Sequence, residues 1–207
     1  MKAHGPNPTF PVVAIGASAG GMVAIEELLK ALNPQTGMAF VIIMHLEANH
    51  ISTYPKIISK CSPMEVFEAA EGTVIQPNRI YVMAAGVKLT VEDGIFHTTV
   101  RTEAPAQNKP IDLFFRSLAV NSEDLAIGVI LSGSDGDGSE GCKYIEAAGG
   151  QMFVQDPSTA ANESMPIKAV HKGCDDFMGT PKELGQKLSL VSARHQGFAD
   201  AKHSSSS

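Results

Sequence analysis

Three short runs of uninterrupted apolar residues constrain this chain more than any other feature. They are PVVAI (11–15), AFVIIM (39–44) and LAIGVIL (125–131). Each has the length of a strand and is followed by a glycine-rich or polar loop. A strand that is apolar at every position has to be covered on both faces. Helical patterns stand between the runs. MVAIEELLKAL follows Gly20-Gly21, a further helix is expected over 53–60, and KYIEAAGG ends on Gly149 and Gly150 as helix stops. QMFVQ (151–155) is a fourth strand. Strands alternating with helices predict an α/β fold: a doubly wound, mainly parallel sheet with helices on both faces.

Further helices are read at PIDLFFRSLAV, opened by Pro110, and over 165–172, closed by Gly173. The last helix begins at TPKE, with Thr180 as N-cap, Pro181 at the first helical position and Glu183 completing a capping box. One region breaks the alternation. KLTVE (88–92), Asp93-Gly94 and IFHTTV (95–100) make an antiparallel hairpin with a type I′ turn pair. It is expected as an edge of the otherwise parallel sheet. RTEAPAQNK (101–109) reads as a polar loop. No repeat and no internal linker is visible. The expected division is an N-terminal extension over 1–10, one domain over 11–191, and a loose tail over 192–207.

The composition is that of a globular chain, with 43% hydrophobic and 18% charged residues. A net charge of -6 argues against nucleic-acid binding and gives no attraction to an acidic membrane surface. No apolar run approaches the ~20 residues of a membrane span. The start, MKAHGPNPTF, has no apolar segment of a secretory signal. A cytoplasmic location is therefore expected, with Cys61, Cys142 and Cys174 as three reduced, packed thiols.

Three loops carry candidate chemistry, and all follow strands. The first, Gly16 to Gly21, fits G-x-S-x-G with Ser18 at its centre. A nucleophilic serine on a strand-to-helix turn needs small neighbours, and the helix start offers N–H groups to an oxyanion. A phosphate-binding turn and a plain turn remain open for this loop alone. A dinucleotide site, however, would want glycine at position 18. The second loop holds His45, with Glu47 and His50 nearby; their spacing does not match a zinc motif. The third runs from Ser132 to Ser139 and holds Asp135 and Asp137. Its acids do not complete a calcium register. If the strands are parallel, the three loops share one sheet edge, where ligands of open α/β sheets bind. A serine, a histidine and an aspartate would then converge as a triad does.

The order of IGASAGG (15–21), IIMHLEANH (42–50), LSGSDGDGSEG (131–141), QDPSTA (155–160) and SMP (164–166) resembles the chemotaxis protein-glutamate methylesterase family. The likeness covers about 12–191. HLEANH and PIDLFFRSLA look most like the version in fused methylesterase–methyltransferase sensory proteins. The resemblance implies hydrolysis of glutamate methyl esters on the cytoplasmic region of chemoreceptors, with glutamine deamidation in some members. It implies Ser18, His45 and Asp137 as the catalytic residues, no cofactor and no metal. A partner or fused methyltransferase domain is a further implication. The chain departs from the family pattern in three places. Asp135 and Gly136 stand where glycine is expected at 135, which makes Asp135 a rival acid. Met44 precedes the histidine where many relatives carry glutamine. Ile167 takes the place of an arginine. Only about ten residues precede the first strand, so no receiver domain is expected within this chain. The alternatives are a nucleotide-binding Rossmann domain and a regulatory module that has lost activity.

Overall fold

The first apolar run becomes the middle of the sheet. The computed structural model of the chain describes residues 7–45, 53–102 and 108–191. In it β1 (Val12–Ala17) is buried at every position and pairs in parallel with strands on both sides. One neighbour is β2 (Ala39–Met44), the other β7 (Ala126–Ile130). Between β1 and β2 the chain forms α1 (Gly21–Ala31), and between β2 and β7 it forms α2 (Thr53–Ile58), β3 (Glu65–Glu68), β4 (Arg79–Val82), β5 (Val87–Glu92), β6 (Ile95–Val100) and α3 (Pro110–Ser122). After β7 come α4 (Gly141–Ala147), β8 (Gln151–Gln155), α5 (Ser164–His171), β9 (Phe177–Gly179) and a helix, α6, over 181–191. The seven-stranded parallel sheet has the order β3-β4-β2-β1-β7-β8-β9.

Alternate residues of β1 feed two cores, because successive strand side chains point to opposite faces. Val13, Ile15 and Ala17 pack with Ile25, Leu28 and Leu29 of α1 and with Leu184 and Leu188 of α6. Val12 and Ala14 join the core that holds Ile111, Phe114, Phe115 and Leu118 of α3 and Met165 of α5. This is the doubly wound sheet expected from the uninterrupted apolar runs. The capping box of α6 is formed as read: Thr180 N–H and Oγ1 lie 2.8 Å from Glu183 Oε2, and Glu183 N–H donates back to Thr180 Oγ1.

Two expectations are corrected. The hairpin is not an edge of the parallel sheet but a separate two-stranded sheet of β5 and β6. Its turn has Asp93 and Gly94 at φ 50° and 68°, as a type I′ turn requires. Leu89, Val91 and Phe96 send the hairpin's apolar face into the α3 core, and Ser117 Oγ accepts the Val91 N–H. Burial against α3, together with antiparallel backbone hydrogen bonds from β6 and its turn to residues 72–75, therefore places it. Cys142 and Cys174 are not free thiols: they form a disulfide, with Cα atoms 6.1 Å apart. The start of α4 and the turn after α5 meet across 32 residues of sequence, which spacing alone does not reveal. Cys61 is free and half-buried.

Strands β3, β4 and β9 have no counterpart in the sequence reading. They have four, four and three residues, and β3 is largely exposed, so none makes an apolar run. The expected tail at 192–207 lies outside the described residues, as does most of the extension at 1–10. No described helix is long and apolar enough to cross a membrane.

Closing a loop of this size stabilises a fold by about 2–4 kcal/mol. Reduction of Cys142–Cys174 should therefore lower the urea midpoint of the purified protein. Equal midpoints with and without dithiothreitol would show that the pair is not a cross-link that matters.

Candidate active site

The register of the three central strands decides which loops meet. Ala17 is level with Met44, and Gly16 with Ile130. The chain therefore leaves β1, β2 and β7 at one edge, carrying Ser18, His45 and the 132–139 loop. That edge lies where the winding reverses, β2 on one side of β1 and β7 on the other.

Ser18 is tied down by backbone. Its N–H donates to Ser132 O at 2.9 Å, and its carbonyl accepts the Gly21 N–H. It is not the helix cap: that position is Gly20, at φ 75°, with no side-chain cap. Ser132 binds the loops together. Its Oγ donates to Ala19 O at 2.7 Å and accepts the Asn162 N–H, while its own N–H donates to Gln155 Oε1. Space around the serine is tight. A Cβ on Gly133 would lie 3.0 Å from Ser18 Cβ and far closer to Met165 Sδ. Small residues in these loops are thus a packing requirement.

The structure places Asp137 beside His45. Its side chain is fully buried, and its Oδ2 lies 2.7 Å from His45 Nε2. The same oxygen accepts the Ile111 N–H at 2.8 Å, and Oδ1 accepts the Asp112 and Gly138 N–H groups at 2.9 Å. Two of these donors belong to the first turn of α3, where unpaired N–H groups and the helix dipole favour an anion. That buried carboxylate is therefore fully satisfied, which an isolated buried charge requires. The α3 turn sits close because Ile111 fills the space that Cβ atoms on Gly16 and Gly138 would need, 2.5 Å and 2.9 Å from its Cγ2.

Ser18 and His45 line one cleft of about 410 Å³, together with Gly20, Met22, Met44 and Tyr54. No hydrogen bond joins Ser18 and His45 among the described residues. Glu47 and His50, the other members of the considered metal cluster, lie outside the described residues. Among those described, no group of three or more His, Cys, Asp or Glu residues is placed to hold a metal ion.

Several contributors were not foreseen in the sequence. Asp112 accepts the Gly141 N–H at 2.6 Å and the Glu140 N–H at 3.1 Å, joining the starts of α3 and α4 around the Asp137 loop. Burial, with the charge of nearby Asp137 adding to it, pushes its carboxyl up to about 6. Lys109 and Lys168 both reach Asp135: Lys109 Nζ lies 3.2 Å from its Oδ2, and Lys168 Nζ donates to its carbonyl. A Pro-x-Asp at a helix start facing a glycine loop was the available signal for Asp112.

A carboxyl whose folded value lies above its unfolded one binds more protons in the native state, so its ionisation lowers stability as pH rises. For Asp112 that loss falls between about pH 4 and 6. Asp112→Asn keeps an acceptor for the α4 N–H groups and removes the ionisation. The variant should gain stability relative to the parent across that window and keep a constant difference above it, in urea unfolding at pH 4.5, 6 and 7.5. A difference independent of pH would show that Asp112 ionises normally.

A family model described as CheB methylesterase matches residues 13–188. A Leptospira interrogans protein, whose name couples protein-glutamate methylesterase with protein-glutamine glutaminase, is 32% identical over 86% of this chain and 92% of its own length. A Caulobacter vibrioides protein named protein-glutamate methylesterase/protein-glutamine glutaminase 1 is 30% identical over 90% of this chain and 56% of its own. The chain thus spans most of the first relative but little more than half of the second. The crystal structure of the Thermotoga maritima CheB methylesterase catalytic domain superposes with a TM-score of 0.81. It covers 89% of this chain and 100% of that one at 21% identity, a likeness of fold.

Proposed function

The chain belongs to the CheB methylesterase family, and on that premise we propose that it is a serine esterase acting on glutamate methyl esters of chemoreceptors through Ser18, His45 and Asp137. The observation that carries the reading is the 2.7 Å contact between His45 and a buried Asp137, beside a serine that lines the same cleft.

The chemistry follows from the ring. Asp137 accepts at Nε2, so the proton of neutral His45 resides there and Nδ1 is the free base. Nδ1 takes the proton of Ser18 Oγ as that oxygen attacks the ester carbonyl. The tetrahedral oxyanion is stabilised by backbone N–H groups of the glycine-rich turn at the start of α1, each such donor being worth on the order of 10²–10³ in rate. His45 returns the proton to the departing methoxide, which leaves as methanol. Water then attacks the glutamyl ester on Ser18, with His45 again the base, and the free carboxylate is released. A glutamine side chain would follow the same course with ammonia leaving. Asp137 holds the imidazole in the required tautomer and stabilises its charged form. No step needs a metal or an organic cofactor.

Under this reading residues 11–191 act as one catalytic domain. The partner is the methylated cytoplasmic region of a receptor, which puts the protein in the cytoplasm. A methyltransferase, fused or separate, supplies the esters. Nucleic acid has no part in it.

A fluorophosphonate probe should label Ser18, and Ser18→Ala should abolish both labelling and methanol release from a methylated receptor fragment. Asp137→Asn should lower turnover by ~10⁴, the loss found when a serine triad is left with the wrong tautomer. A folded protein that ignores the probe would leave a regulatory module as the better reading, and nucleotide binding in its place would favour a Rossmann site.

A further inference from the structure

Asp137 occupies one nitrogen of His45, and a second carboxylate faces the other. Asp135 Oδ2 lies 3.6 Å from His45 Nδ1. Asp135 is held in that position on several sides. Its Oδ1 accepts the Gly136 N–H at 2.6 Å and the Asp137 N–H at 3.0 Å, a local turn that points Oδ2 at the ring. Lys109 Nζ stands 3.2 Å from the same Oδ2, and Lys168 Nζ fastens the backbone carbonyl. Burial would raise the Asp135 carboxyl, but the backbone N–H groups, the His45 ring and Lys109 together hold it below the ordinary value.

We propose that Asp135 is a positioning acid for His45, favouring the protonated ring from the side opposite Asp137, and that Lys109 tempers it by sharing the same oxygen. The proposal rests on the esterase reading, in which Nδ1 is the base. The carboxylate has no proton to donate, so it makes no hydrogen bond to the Nδ1 lone pair of the neutral ring. Once Nδ1 has taken the Ser18 proton, the positive ring lies between two carboxylates. Asp135 thus favours the charged ring over the neutral one. It eases proton transfer from Ser18, and it makes the ring proton harder to lose than it would be without the carboxylate. Lys109 opposes both effects.

The charged and titratable groups around the ring come from four elements. Asp135 and Asp137 belong to the loop after β7, with Lys168 of α5 behind Asp135. Lys109 and Asp112 stand at the start of α3, and Tyr54 of α2 faces the cleft. Glu47 and His50 lie outside the described residues. Asp112 also titrates, its carboxyl pushed up to about 6 by burial, so the test compares variants in which it is unchanged.

The experiment follows the His45 ring signals by NMR across pH 4.5–9 in the substrate-free parent, Asp135→Asn and Lys109→Met. In parallel it measures the acid limb of fluorophosphonate labelling at Ser18. Partly exposed charge pairs of this kind are worth up to about 1 kcal/mol, which is up to about 0.7 of a pH unit. Asp135→Asn should move the His45 midpoint and the labelling limb down by about that amount, and Lys109→Met should move both up. Midpoints that stay put in both variants, or that move in the same direction, overturn the proposal. Asparagine keeps the acceptor for the Gly136 and Asp137 N–H groups; should it fail to fold, Asp135→Ser and the opposite shift in Lys109→Met still decide. If Ser18 is inert to the probe, the esterase reading fails, while the ring titration still reports on Asp135 alone.

Discussion

The buried Asp137 carboxylate is the interaction on which the rest of the site depends. A charge with no exposed surface survives in a fold when hydrogen bonds replace the water it has lost. Here backbone N–H groups from α3 and from its own loop do so, and His45 takes the remaining direction. The charge therefore comes with a helix start attached. Moving α3 by an ångström would unpair the carboxylate, and unpairing it would release the imidazole.

That dependence explains the small residues around the cleft. Ile111 can wedge between β1 and the Asp137 loop because Gly16 and Gly138 have no Cβ. Gly138, at φ 93°, also needs the freedom glycine alone supplies cheaply. Ser132 performs the same service for the serine loop, since one hydroxyl bridges Ala19 and Asn162. The serine loop and the Asp137 loop are each fixed by hydrogen bonds to another segment, the first to Ser132 and the second to the start of α3.

The two acids of the third loop are held apart by surroundings rather than by type. Asp137 is dry and bonded to a helix terminus. Asp135 is partly open to water and shares its oxygen with a lysine. The first can fix a tautomer; the second can adjust only the charge balance of the ring. A sequence shows two aspartates two residues apart and does not rank them by environment.

The doubly wound sheet was legible because strands buried on both faces must be apolar throughout, and three such runs survive no other arrangement so well. The convergence of Ser18, His45 and Asp137 at one edge was legible for a related reason: parallel strands deliver their loops to the same side. Short strands such as β3, β4 and β9 were not, since sheet pairing makes them strands and their own composition does not. The place of the hairpin, the Cys142–Cys174 bond, and the roles of Ile111, Asp112 and Lys109 were decided by tertiary structure. Each depends on segments 20 to 40 residues or more apart meeting within a few ångströms. Local periodicity reports which face of an element is buried, but not which distant backbone N–H will complete a buried carboxylate.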